Sequence, residues 1–141
     1  MRCYGRKQII GYTGDEHKKL KVNERNANME VFEKVVLTIQ SYFSGKDILQ
    51  LFLHGGCYWL AMTLHQYIPD SAIVFNRKMQ HCASLFNDGV YDIRGRIPSS
   101  GFRIATTEDI KYMQKHFIPD FDADDLKTYL DIIMYGNGKE E

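Results

Sequence analysis

Cysteine is scarce in this chain: only three occur among 141 residues, Cys3, Cys57 and Cys82, and no two are spaced as C-x-x-C. That excludes a disulfide-stapled scaffold and a zinc ribbon, and it points to a reducing, cytoplasmic setting. Long apolar runs are missing as well. No stretch approaches the length that crosses a bilayer, and the opening "MRCYGRKQIIGYTG" has basic residues with no apolar segment behind them, so neither membrane insertion nor secretion is expected. Nor is there an excess of one charge. Eighteen basic and 18 acidic residues cancel, leaving no overall field to draw the protein to nucleic acid or an anionic membrane. No repeat and no low-complexity tract divides the chain.

What is present is 44% hydrophobic residues, enough for one domain with a real core and too short a chain for two. Residues 1–28, ending "HKKLKVNERNAN", are polar and aperiodic and read as an arm or irregular segment, with a single domain over 29–141. From Met29 to Phe43, the spacing of Phe32, Val35, Val36, Ile39 and Phe43 predicts an amphipathic helix, ended by Ser44-Gly45. "KDILQLFL" is too short to assign. A second helix is expected from Cys57 to Tyr67, stopped before Pro69-Asp70. Then "SAIVF", "HCASLF" and "GVYDI" read as strands, with turn chemistry at Asn87-Asp88-Gly89 between the last two. Thr106 with Asp109 caps a third helix, and "DADD" opens a fourth that Gly136 ends. The order predicts an α+β domain, with helices packed on a small antiparallel sheet.

Within that frame "HGGCYWLAMTL" sets Cys57 at the head of a helix. On the helical wheel Cys57 shares a face with Leu60, Ala61 and Leu64, which suits a small buried hydrophobe. Its position suits chemistry too. First-turn N–H groups and the helix dipole stabilise a thiolate, and the same N–H groups can hold an oxyanion beside the sulfur. Gly55 and Gly56 would let a substrate backbone come close.

A nucleophilic thiol needs a base, and the base needs an orienting partner. His81 opens "HCASLF", and Asp92 lies on the next expected strand. If Asn87-Asp88 forms a two-residue turn, Phe86 pairs with Gly89, and Asp92 falls opposite Ala83 on the face of His81 and diagonal to it. If Asp88-Gly89 is the turn, Asp92 moves opposite Leu85, further from His81. A three-residue loop would turn it to the other face.

"GGCYWLAMTL", "HCASLF" and "GVYDIRG", about residues 50–97, together resemble the core of small papain-like or transglutaminase-like cysteine proteins, in which a helix-starting Cys faces a His and an Asp on adjacent strands. The resemblance implies that Cys57 is the nucleophile, His81 the base and Asp92 the orienting acid. It also implies a thiol-dependent hydrolase or acyltransferase for an amide or ester-like bond in a protein, peptide or small amide substrate, with no cofactor. Where papain-like enzymes carry an oxyanion-stabilising Gln, six residues before the Cys, this chain has Leu51, so Gln50 and His54 become the side-chain candidates. Gly55, Gly56, Trp59 and Arg94 are the substrate-binding candidates.

Other chemistries fit less well. His54, Cys57, His81 and Cys82 are all zinc-ligand types, but consecutive strand residues face opposite sides, so His81 and Cys82 do not meet one ion, and no metal is expected. By the same alternation Cys82 is expected away from Cys57, which disfavours a redox pair. Tyr58, Trp59, Phe75, Phe86 and Tyr91 lack an accompanying basic stripe and read as core and cleft wall. "DFDADD" lacks the ligand spacing of a calcium loop. The alternative to an enzyme is a non-catalytic binding module on the same scaffold.

Overall fold

A computed structural model describes residues 22–44 and 46–136. The elements run α1 (Val22–Tyr42), α2 (Ile48–Leu53), α3 (Cys57–Tyr67), β1 (Ala72–Asn76), β2 (His81–Phe86), β3 (Gly89–Asp92), β4 (Gly95–Ile97), β5 (Arg103–Ile104), α4 (Thr107–His116) and α5 (Ala123–Tyr135). The fold is α+β: the strands form one antiparallel sheet in the order β4-β3-β2-β1-β5, and helices pack on it.

Strand alternation gives the sheet two unlike faces. Phe86, Tyr91 and Ile93 point to the helices, where they join Phe32, Val35, Ile39, Trp59, Leu60 and Leu64 in the main core. Val74, Ala83, Leu85 and Val90 point the other way and are met by Phe102 from the segment before β5. Phe52 of α2 is completely buried, which accounts for the helical fate of "ILQLFL". Asp47 caps its first turn by accepting from the N–H groups of Leu49 and Gln50, and burial of one such side chain contributes about 2–3 kcal/mol.

Helix α1 includes 22–28, ahead of the expected start at Met29, so part of the expected arm is helical; the rest of it, residues 1–21, lies outside the described residues. The reason is a clamp that apolar periodicity does not register. Arg25 pairs with Asp88 at 2.7 Å, Asn28 Nδ2 donates to Asn87 Oδ1 at 3.1 Å, and Asn87 Nδ2 donates to the Arg25 carbonyl at 2.9 Å. The first turns of α1 are thereby fixed to the β2–β3 turn. Strands β4 and β5 have only three and two residues, too short for a period and defined by pairing with β3 and β1. The third and fourth expected helices form with their caps: Thr106 and Asp109 make a reciprocal capping box, and Asp122 caps α5.

Candidate active site

The β2–β3 hairpin sets the geometry. Phe86 pairs with Gly89, leaving Asn87 and Asp88 as a two-residue turn with φ of 51° and 65°, the left-handed pair of a type I′ hairpin. Continued by one step, this register sets Asp92 opposite Ala83 and diagonal to His81. The side chains meet: His81 Nε2 and Asp92 Oδ2 are 2.7 Å apart, with side-chain exposures of 7% and 2%. The turn delivering His81 is held by Asn76, whose Oδ1 accepts from the Met79 N–H at 3.0 Å and whose Nδ2 donates to the Ser100 carbonyl at 3.4 Å. Phe102 sets its ring edge against the imidazole, centroids 6.1 Å apart.

Cys57 is the first residue of α3 and is 3% exposed. Its thiol neighbours the His81 imidazole closely enough to act on its charge, and Nε2 of that ring is engaged by Asp92. Burial opposes a charge on His81, but the hydrogen bond to Asp92 and the neighbouring Cys57 thiol outweigh it and raise the imidazole to about 9. Burial likewise opposes ionisation of Asp92, and there hydrogen bonds from His81 and from the side chain and N–H of Arg94 prevail, lowering the carboxyl to about 2. Cys57, His81 and Asp92 are therefore gathered in one buried relay, with His81 hydrogen-bonded to Asp92 and the Cys57 thiol beside it.

Cys82 is nearer to Cys57 than strand alternation suggested. Both belong to a buried cluster with Phe75 and Met113, and burial, then the proximity of Cys57, push the Cys82 thiol well above its ordinary value. Alternation does separate Cys82 from His81, but His81 is the first residue of its strand, so a sulfur at the helix start neighbours both. Both thiols are free.

The remaining candidates divide. Gln50 and His54 are exposed, on α2 and at its C-terminal end, and the hydrogen bonds of the relay include neither. No side chain caps the α3 N-terminus, where Gly56 is the N-cap, so its first-turn N–H groups remain as donors beside the sulfur. Gly55 and Gly56 face the chain's own backbone instead of an open cleft: a Cβ on Gly55 would lie 2.6 Å from the Ile118 carbonyl oxygen, and one on Gly56 2.6 Å from that of Leu51. Trp59 is buried against Phe52 and Phe121 in the core. Its face of the helix is the core face, which removes it from any cleft wall. Arg94 turns back onto Asp92 through Nη2 at 2.6 Å and Nε at 3.2 Å. Sequence reasoning missed this grip, for which the spacing D-x-R was the available signal, and it missed Asn76 and Phe102, for which none existed. Among the described residues no group of three or more His, Cys, Asp or Glu side chains is arranged to hold a metal ion, and no helix is long and apolar enough to cross a membrane.

The family model for Phage YunG-like protein matches residues 35–131, more than half of the chain. The chain belongs to this family. The matched span runs from the middle of α1 into α5 and contains Cys57, His81 and Asp92. No curated protein matches the chain, and no solved structure does.

Gly55 provides a local test of how this site is built. Its φ of +102° disfavours any side chain, and the Ile118 carbonyl fills the space beside it. Gly55→Ala is expected to lower stability by about 2 kcal/mol or more, read as a fall in the urea midpoint. An unchanged midpoint would show that the bend before Cys57 yields freely.

Proposed function

We propose that this protein is a small cytoplasmic thiol enzyme of papain-like or transglutaminase-like type, acting as a hydrolase or acyltransferase on an amide or ester-like bond of a protein, peptide or small amide. The observation that carries the reading is the relay itself: a helix-starting thiol beside an imidazole whose Nε2 lies 2.7 Å from a buried carboxylate. The thiol proton passes to His81 and sulfur attacks the carbonyl carbon, driving its π electrons onto oxygen beside the first-turn N–H groups of α3. Collapse breaks the bond to the leaving amine or alcohol, which takes the proton from His81. Water or an amine, deprotonated by His81, then attacks the thioester, and cleavage of the carbon–sulfur bond restores the thiol.

The low exposure of Cys57 favours a second reading, a non-catalytic binding module in which the relay is structural. Selective labelling separates the two. Iodoacetamide applied to the folded protein near pH 6.5, followed by peptide mapping, is expected to modify Cys57 well ahead of Cys82, which is fully buried and held as a neutral thiol. Labelling of Cys57 as slow as that of Cys82 would favour the binding module.

A further inference from the structure

The dyad carries a charge that His81 alone does not balance in every state. Asp92 is 2% exposed, and a carboxylate so far from water needs partners for both oxygens. His81 engages Oδ2 at 2.7 Å. Arg94 engages the rest: Nη2 to Oδ2 at 2.6 Å, Nε to both oxygens at 3.2 Å, and its backbone N–H to Oδ1 at 2.8 Å. The other titratable or charged groups facing His81 and Asp92 come from two places: Cys57 on α3 and Arg94 just after β3. Phe102, on the remaining side of the imidazole, is uncharged. Of the two cations His81 gains and loses its proton, whereas a guanidinium keeps its charge throughout.

We propose that Arg94 is a positioning residue acting through Asp92: it keeps the buried carboxylate neutralised in both protonation states of His81 and holds Oδ2 towards Nε2, so that the imidazole can release its proton during turnover. This assignment rests on the thiol-enzyme reading of the same site. It replaces the expected role of Arg94 as a substrate cation, because Nε and Nη2 are already committed within the chain. The guanidinium is half-exposed, with 45% of the side chain reached by solvent, so it can be exchanged without opening a core cavity. In Arg94→Gln the backbone N–H still holds Oδ1, so the carboxylate stays and its uncompensated charge falls on the imidazole.

The test is an NMR pH titration of the His81 ring in the wild type, Arg94→Gln and Arg94→Lys. Arg94→Gln is expected to raise the protonation constant of His81 about tenfold, while Arg94→Lys, which restores the charge, stays within about threefold of the wild type. With p-nitrophenyl acetate, Arg94→Gln is expected to move the acid limb of the deacylation profile to higher pH. A His81 titration that is unchanged, or shifted downward, in Arg94→Gln overturns the proposal. Should that variant fail to fold, Arg94→Met, which keeps the aliphatic length, takes the same measurement. If the His81 titration rises as stated in a protein that never acylates Cys57, the grip of Arg94 on the dyad stands and the thiol-enzyme reading is the part that fails.

Discussion

His81→Ala is expected to slow acylation of Cys57 by an activated ester about 1,000-fold near neutral pH, the middle of the range for losing a general acid–base group, while the urea midpoint falls by less than in Asp92→Ala. The two halves of this expectation come from the same geometry. The imidazole is the partner of the Cys57 thiol, so its removal takes away the proton acceptor. The carboxylate it leaves behind is not stranded, because Arg94 still holds both Asp92 oxygens. Single-turnover acylation followed by stopped-flow absorbance, beside an unfolding curve, reads both. Equal acylation rates in variant and wild type would remove His81 from the chemistry.

Asp92→Ala has the larger effect on stability. It leaves the buried imidazole and the Arg94 guanidinium without their common anion, and breaking a buried ion pair from one side costs about 3–5 kcal/mol; Arg94 can turn to water, so the lower end is expected. The loss depends on pH in a direction the two titrations fix. The Asp92 carboxyl lies at about 2 against an ordinary 3.8, so its contribution is complete above 3.8 and disappears as pH falls through about 2. His81 lies at about 9 against 6.5, so its contribution is complete below 6.5 and disappears as pH rises through about 9. The stability difference between wild type and Asp92→Ala should therefore be widest between pH 3.8 and 6.5 and shrink on both sides. Urea unfolding at a series of pH values measures it, and a difference that does not vary with pH would mean that the dyad contributes through packing alone.

The site was legible where a local rule carried enough information. The Asn87-Asp88 turn fixes the register of the hairpin, and register with the two-residue period of a strand brings Asp92 beside His81. The start of α3 at Cys57 was legible from the Gly-Gly bend and the apolar face behind it. Where several non-local contacts decide, the reading ran out. The early start of α1 depends on Arg25 and Asn28 meeting a turn some 60 residues away. The glycines before Cys57 were read as open to a substrate, but the Ile118 and Leu51 carbonyls occupy that space, and no local pattern announces such an approach. Trp59 follows the same logic: a helix packed on several sides has more than one core face, and the sequence period marks only the strongest. The adjacency of Cys57 and Cys82 eluded strand parity because parity describes a sheet's faces and says nothing of its end, where α3 begins.

The central claim is that Cys57 accepts an acyl group with His81 as its proton partner, and trapping the thioester tests it most directly. The folded protein is mixed with p-nitrophenyl acetate near pH 6.5, quenched in acid within the first turnover, and examined by intact mass and peptide mapping. An acetyl adduct on the peptide carrying Cys57, absent from Cys82 and lost in Cys57→Ala, is the expected result. Acylation confined to surface lysines, or a Cys57 adduct that forms no faster than that of a free thiol and is unchanged in His81→Ala, would contradict it.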